Sequence, residues 1–288
     1  MVFKVTSLLT PFMQNPFERP KYLEKFGLKE APYTTNPDER YLFLTDAHNE
    51  AIQMSARIIQ NKEGAGLTVG EKGTGKTTIM RRIISLLSTQ DNFKVAVIET
   101  AGHSPTPYQL VKEILESFEV TCVGRDTKTR NDQLKEFLLI NFKTNKTCVL
   151  LIDEAQQLSA KLLEALRGYL NFETPRGGKL LQILLFAMPN INRRLPYAPS
   201  LRNRLVKTIL KKMDRNETED MLRWRFQQAG GKLFPFEEEA IDTLFKLSQG
   251  NPRTICGISQ LALELSASRN QTINSKIIKE VSKTRFLT

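Results

Sequence analysis

The stretch that most limits what this chain can fold into is Ala65-Gly-Leu-Thr-Val-Gly70-Glu-Lys-Gly-Thr-Gly75-Lys76-Thr77-Thr78. A short apolar run enters a turn with Gly70, Gly73 and Gly75. Lys76 and Thr77 then open a segment whose apolar residues Ile79, Met80, Ile83, Ile84 and Leu87 recur at helical spacing. Glycines let the backbone curl until successive N–H groups face one anion, and the helix that follows adds the positive end of its dipole. The pattern G-x-x-x-x-G-K-[ST], in a strand, loop and helix context, therefore reads as a phosphate-binding loop. Its candidate nucleotide contacts are Gly70, Glu71, Lys72, Gly73, Thr74, Gly75, Lys76, Thr77 and Thr78. Lys76 is expected to reach the β- and γ-phosphates, and the Thr77 hydroxyl to complete the coordination of Mg²⁺.

A second stretch fits the first. Thr147-Cys-Val-Leu-Leu-Ile-Asp153-Glu154-Ala-Gln156 is an apolar run ending in paired acids, which describes a buried strand whose carboxyl end delivers two carboxylates to a site. Asp153 is the candidate Mg²⁺ ligand, directly or through water, and Glu154 the group that polarises the attacking water. Leu180 to Phe186 is another buried strand, followed by Ala187-Met188-Pro189-Asn190. Asn190 is a candidate to orient water or the γ-phosphate, and equally a candidate cap for the next helix.

Between these landmarks, strand-like and helix-like segments alternate. Lys94 to Glu99 and Val206 to Leu210 read as further strands, Tyr108 to Phe118 and Leu134 to Phe142 as helices, and Asp46 as the cap of a helix through Ile58. Such alternation predicts an α/β fold with a parallel five-stranded sheet between helices. After about residue 210 only helical periods remain, which predicts a small all-helical lid. The expected division is an extended arm over residues 1–22 with Pro11, Pro16 and Pro20, an α/β nucleotide-binding domain over 23–212, and the lid with a C-terminal tail over 213–288.

Charge and composition narrow the function. Lys and Arg number 42 against 31 Asp and Glu, a net charge of +11 that points to a polyanionic partner beyond the nucleotide. No apolar run approaches the ~20 residues that cross a bilayer, and the N-terminus makes a poor signal peptide, so a cytoplasmic protein is expected. Cys122, Cys148 and Cys256 are far apart and lack partners at metal spacing, which favours free thiols over zinc or disulfides.

Taken together, the motifs resemble those of the AAA+ ATPases, and within them the branch holding the ExeA-type secretion ATPases and the transposition regulators of the TnsC and TniB kind. The resemblance covers about residues 23 to 283 and is carried by Phe26-Gly-Leu-Lys-Glu-Ala-Pro-Tyr33, His48-Asn-Glu-Ala51, the phosphate loop, Leu151-Ile-Asp-Glu-Ala-Gln156, Leu180-Leu-Gln-Ile183, Leu201-Arg-Asn-Arg204 and Gly250-Asn-Pro-Arg253. It implies ATP and Mg²⁺ as cofactors. It implies too that Arg202 or Arg204 is an arginine finger for a neighbouring subunit, and that Arg253 is a lid residue at the γ-phosphate. Secretion-type members carry Gly-Gln-Pro-Glu after the fourth strand, and here Met188 stands at the polar position, which implies either that Asn190 substitutes or that hydrolysis is slow and suits a switch.

Two functions follow from the resemblance. One is a TnsC-like regulator that assembles with ATP into a ring or filament on double-stranded DNA and recruits transposase and target-selection proteins. Its DNA-contacting loops correspond to Gly102-His103-Ser104 and to Arg125 through Arg130, with His103, Arg125, Lys128, Thr129 and Arg130 as the candidate contacts. The other is an ExeA-like secretion ATPase, or a loader that remodels a protein. The secretion relatives add a membrane span and a wall-binding domain after the ATPase, and this sequence has neither, which with its charge favours DNA.

Overall fold

The computed structural model describes residues 19–35, 38–100, 105–174 and 177–285. In chain order its elements are α1 (Lys21–Lys25), α2 (Asp46–Asn61), β1 (Ala65–Gly70), α3 (Lys76–Ser88), β2 (Phe93–Glu99), α4 (Pro107–Ser117), α5 (Thr127–Lys143), β3 (Thr147–Asp153), α6 (Ala160–Tyr169), β4 (Leu181–Ala187), α7 (Pro199–Arg202), β5 (Leu205–Leu210), α8 (Arg215–Gln228), α9 (Glu238–Ser248), α10 (Pro252–Arg269) and α11 (Ser275–Arg285). The expected fold is present. Five parallel strands lie in the order β2-β3-β4-β1-β5.

Side-chain alternation divides the strands between two cores. Leu67 and Val69 of β1, Leu150 and Ile152 of β3, and Ile183 and Leu185 of β4 enter the core covered by α4, α5 and α6. Val149, Leu151, Leu184 and Phe186 point the other way, onto Ile58 of α2 and Ile79, Met80 and Ile83 of α3. Both faces of the sheet are thus covered, and its strands read as continuous apolar runs rather than as alternating ones. Helix α3 leads the chain from β1 out to the far edge strand β2, and β3 and β4 then fill the gap. The carboxyl ends of β1, β4 and β3 therefore stand side by side, where ligands bind in open parallel sheets.

A third core is the lid, built from α8, α9, α10 and α11. Here the expected boundaries need correction. The proposed arm end and the start of the α/β domain, residues 22 and 23, fall inside α1, and both Tyr22 and Leu23 are buried in the lid core. Leu28, Tyr33 and Tyr41 join them, with the Tyr33 hydroxyl donating to the Leu222 carbonyl at 3.0 Å. The N-terminal segment packs on helices from the other end of the sequence because its aromatics complete an apolar surface that four short helices leave open. The rest of the proposed arm, residues 1–18, lies outside the described residues.

Two local expectations also shift. Thr45, not Asp46, caps α2: its hydroxyl accepts from the His48 N–H at 3.5 Å, and the His48 ring returns a contact to the Thr45 backbone. Helix α5 begins at Thr127, seven residues before the first apolar cue at Leu134, because Asp126 caps it through the Thr129 N–H at 2.9 Å.

The packing of the N-terminal segment on the lid is open to test. Tyr33→Ala should destabilise the protein by about 3–5 kcal/mol, the usual cost of emptying a buried aromatic site. Denaturant unfolding would measure it, and a loss below about 1 kcal/mol would show that residues 20–35 do not belong to the lid core.

Candidate functional site

The phosphate loop follows β1 directly. Gly73 and Gly75 have φ of +85° and +97°, a left-handed backbone that favours glycine and that curls the loop around an anion. A Cβ at Gly73 would stand 2.6 Å from the Asn251 side chain, and one at Gly75 would stand 2.8 Å from His48 Nε2, so neighbours fill the outer side of the loop. Lys76 is buried, and its Nζ lies against the carbonyl oxygens of Gly70 at 2.9 Å and Glu71 at 3.0 Å. Burial pushes its ammonium below the usual lysine range, against the opposing pull of Glu154 and Asp153.

Strand β3 brings its carboxylate to the same point. The Thr77 hydroxyl donates to Asp153 Oδ2 at 2.8 Å, and Asp153 Oδ1 accepts the Glu154 N–H, also at 2.8 Å. A hydroxyl and a carboxylate oxygen side by side, at the mouth of an anion cradle, suit a hard cation that takes its remaining ligands from phosphate and water. The residues thus fit Mg²⁺ with a nucleoside triphosphate. When bound there, held by Thr77 and Asp153, that ion would supply positive charge that neutralises the phosphates.

Glu154 has the left-handed φ of +52°, which turns the chain sharply off the end of β3. Three contacts hold it. The Thr100 hydroxyl bridges the carbonyls of Asp153 and Glu154, both at 2.9 Å, and the Gln156 amide donates to the Glu154 carboxylate. Gln156 Oε1 in turn accepts the Met188 N–H at 2.9 Å. The polar group at the end of β4 therefore comes from Gln156, on the turn after the neighbouring strand. Asn190 is exposed, lines no part of the cavity and caps no helix, because Met188 occupies the cap position of the turn it sits in. The expected role of Asn190 has no geometric support.

A cavity of about 240 Å³ extends from the loop to the lid. Lys72 through Thr78, Glu154 and Arg253 line one part, and Thr34, Thr35, Asp38, Leu42, Phe43, Met213, Met221 and Arg225 another. An apolar wall with an aromatic ring and a few polar groups suits a planar base. Asn251 joins lid to loop: its Oδ1 caps α10, and its Nδ2 donates to the Lys72 carbonyl at 2.7 Å. Arg253 stands in the first turn of α10, where the helix dipole disfavours a cation, so an anion in the cavity would relieve it.

The remaining candidates lie elsewhere. Arg202 and Arg204 are exposed and precede β5, whereas the phosphate loop leaves the opposite end of its neighbour β1. Six paired positions, Ala65–Leu205 to Gly70–Leu210, separate the two ends, about 17 Å along the strand and beyond the reach of an arginine side chain. Arg204 bonds the Asn171 side chain at 2.7 Å, while no hydrogen bond or ion pair of Arg202 is found among the described residues. Arg125 and Lys128 are exposed at the start of α5. Arg130 is not: its guanidinium is buried 3.8 Å from the Tyr108 ring centre and donates to the carbonyls of Gly124 and Tyr108. Thr129 is committed to the Asp126 cap. Arg130 and Thr129 are thus fasteners of the basic turn rather than free contacts. His103 lies outside the described residues.

His48, Thr100, Gln156 and Asn251 escaped the sequence reading of the site. Each acts across a long sequence separation, and although the histidine, the glutamine and the asparagine stood in stretches the resemblance had picked out, Thr100 did not.

Comparison with known proteins agrees with this geometry. Residues 59–195 match the model of the AAA domain. General secretion pathway protein A of Aeromonas hydrophila is 33% identical over 253 residues, covering 86% of this chain and 45% of that protein. The chain thus spans less than half the length of that relative. Among solved structures, the ORC2 protein of Aeropyrum pernix, in ADPNP and ADP complexes, superposes with a TM-score of 0.62 at 17% identity over 88% of this chain and 71% of that one. The ORC1 protein of the same organism, in complex with DNA, gives 0.62 at 16% identity over 88% and 69%. At such identities the likeness to solved structures is one of fold.

Three outcomes test the site. Glu154→Gln should keep ATP bound and lower kcat by about 10²–10⁴-fold, and parent-like turnover would remove Glu154 as the base. Lys76→Ala should abolish binding of a fluorescent ATP analogue, since it removes the one cation buried in the loop. Burial pushes the His48 imidazole below 6.5, against the raising pulls of the Thr74 carbonyl and Glu217. Its contribution to stability is complete above that value. It declines as pH falls below it, where the unfolded chain takes up a proton that the folded chain refuses. Urea midpoints at pH about 7.5 and about 5.5 should therefore diverge more for the parent than for His48→Gln.

Proposed function

We propose that this chain, with its match to the AAA domain over residues 59–195 and the fold it shares with the Aeropyrum pernix ORC2 protein, is an ATPase that uses ATP with Mg²⁺ and acts as an ATP-driven switch that assembles on duplex DNA in the manner of a TnsC-like transposition regulator. Lys76, Thr77 and Asp153 hold the nucleotide and its metal, Glu154 activates water, and Arg253 of the lid contacts the terminal phosphate. Arg202 or Arg204 enters the site of the next protomer.

One observation carries the proposal. The exposed arginines stand at the wrong end of the sheet to serve their own phosphate loop, so as fingers they act only between copies of the chain. ATP held by one protomer then completes its site with a guanidinium from another, and occupancy and assembly become coupled. The slow-switch reading is supported by Met188, which leaves the end of β4 without a polar side chain of its own.

DNA as the partner is supported by the net charge of +11 and by two exposed cations, Arg125 and Lys128, on a turn pinned to the start of α4. Contacts of this kind meet phosphates and give affinity without sequence choice. Transposase and target-selection proteins are the partners that such an assembly would recruit. A second reading, a secretion-pathway ATPase of the ExeA kind, is favoured by the 33% identity to the Aeromonas protein. Among the described residues no helix is long and apolar enough to cross a membrane.

Filter retention of random duplex with an ATP analogue separates the readings. The DNA reading predicts retention that needs nucleotide and weakens with salt, with a shallower salt slope in Arg125→Glu/Lys128→Glu. Assembly with nucleotide but no retention would favour the secretion reading. Replacing both Arg202 and Arg204 by Ala should keep ATP binding and cut turnover on the order of 10³-fold. Unchanged turnover would remove both as fingers.

A further inference from the structure

His48 is 3% exposed, yet it lines the nucleotide cavity and touches the phosphate loop 26 residues away. It sits in the first turn of α2, a helix fixed to the sheet by Ala51, Ile58 and Ile59. Its Nδ1 lies 2.6 Å from the Thr45 hydroxyl and 3.3 Å from the Thr45 backbone nitrogen, and its Nε2 lies 2.9 Å from the Thr74 carbonyl oxygen. The Thr45 nitrogen can only donate and the Thr74 oxygen can only accept. Both bonds are made together by one form of the ring, neutral with its hydrogen on Nε2.

The carbonyl that His48 holds has a further consequence. A trans peptide is planar, and its C=O and N–H point to opposite sides. Tethering the Thr74 carbonyl toward the imidazole turns the Gly75 N–H, in the same peptide unit, to the opposite side, away from His48. Gly75 lacks a Cβ, which at that position would meet Nε2 at 2.8 Å, so the ring packs directly on the unit it orients. Among the described residues, the other hydrogen bonds of Thr74 run from its N–H and its hydroxyl to the Glu71 carbonyl, at 3.4 Å and 2.9 Å, and do not fix this peptide plane from outside.

We propose that His48 is a positioning residue for nucleotide phosphate, setting the Thr74–Gly75 peptide so that the Gly75 N–H faces the anion cradle. The inference deepens the ATP site and rests on that site alone, not on DNA or on assembly. A rigid helix supplies the anchor, so the loop reaches its binding shape before nucleotide arrives and the cost of ordering it is not charged to affinity.

Two substitutions separate orientation from packing. His48→Gln carries an amide donor near the Nε2 position, while His48→Asn keeps an acceptor for the Thr45 N–H but is too short for the Thr74 carbonyl. Binding of fluorescent ADP and ADPNP, with Mg²⁺ and without DNA, should weaken on the order of tenfold in His48→Asn, and stay within about threefold of the parent in His48→Gln. The kcat at saturating ATP should change much less than KM in the Asn variant, since the N–H serves ground and transition states alike. Melting without nucleotide checks that both variants are folded. Should the Asn variant not fold, His48→Leu replaces it, with the same weakening expected. Parent-like affinity in the short or apolar variant, or affinity in His48→Gln as weak as theirs, would overturn the proposal.

Discussion

The bond from the Thr77 hydroxyl to Asp153 joins the two halves of the site, and the strand order exists to make it. Thr77 follows β1 and Asp153 ends β3, and β4 lies between these strands. The two side chains meet because all three strands run in parallel and end together, with Val69 paired to Ala187 and Leu185 to Ile152. Two continuous apolar faces keep those ends in register, so a change deep in the core would be felt as a displacement between hydroxyl and carboxylate. Catalytic geometry of this kind tolerates little displacement, which ties the packing of the sheet to the chemistry at its edge.

The lid is the second constraint. Its one polar bond to the loop among those described, Asn251 to the Lys72 carbonyl, comes from the residue that also caps α10, so the helix that carries Arg253 starts on the loop itself. The N-terminal segment closes over the same helices, and its Thr34, Thr35 and Asp38 line the cavity with lid residues Met213, Met221 and Arg225. A nucleotide there would touch three parts of the chain that are remote in sequence. Its presence would be communicated to all three, which is what a switch requires.

Much of this was legible in the residues. Continuous apolar runs disclosed the strands, and the glycine loop and the paired acids disclosed where the site would form, because both are local patterns with a local cause. What failed was non-local or hidden by polarity. The first two turns of α5 are nearly all polar, so periodicity could not find them, and Arg130 looked like a free cation until its stacking on Tyr108 appeared. Asn190 was the expected polar group beyond β4, but adjacent strands let Gln156 reach the Met188 N–H instead. His48 gave no signal of its own, since the peptide it holds lies beyond any window in which spacing carries meaning. The packing of residues 20–35 and 38–43 on the lid was missed for the same reason.

The central claim is that a triphosphate and a second copy of the chain are bound together, each completing the other's site. Mass photometry of the protein with Mg²⁺ and ADPNP, with ADP, and without nucleotide tests it most directly. The account predicts species larger than one chain with ADPNP that shrink when ADP replaces it. A single-chain mass in all three conditions, with nucleotide binding independently verified, would contradict it.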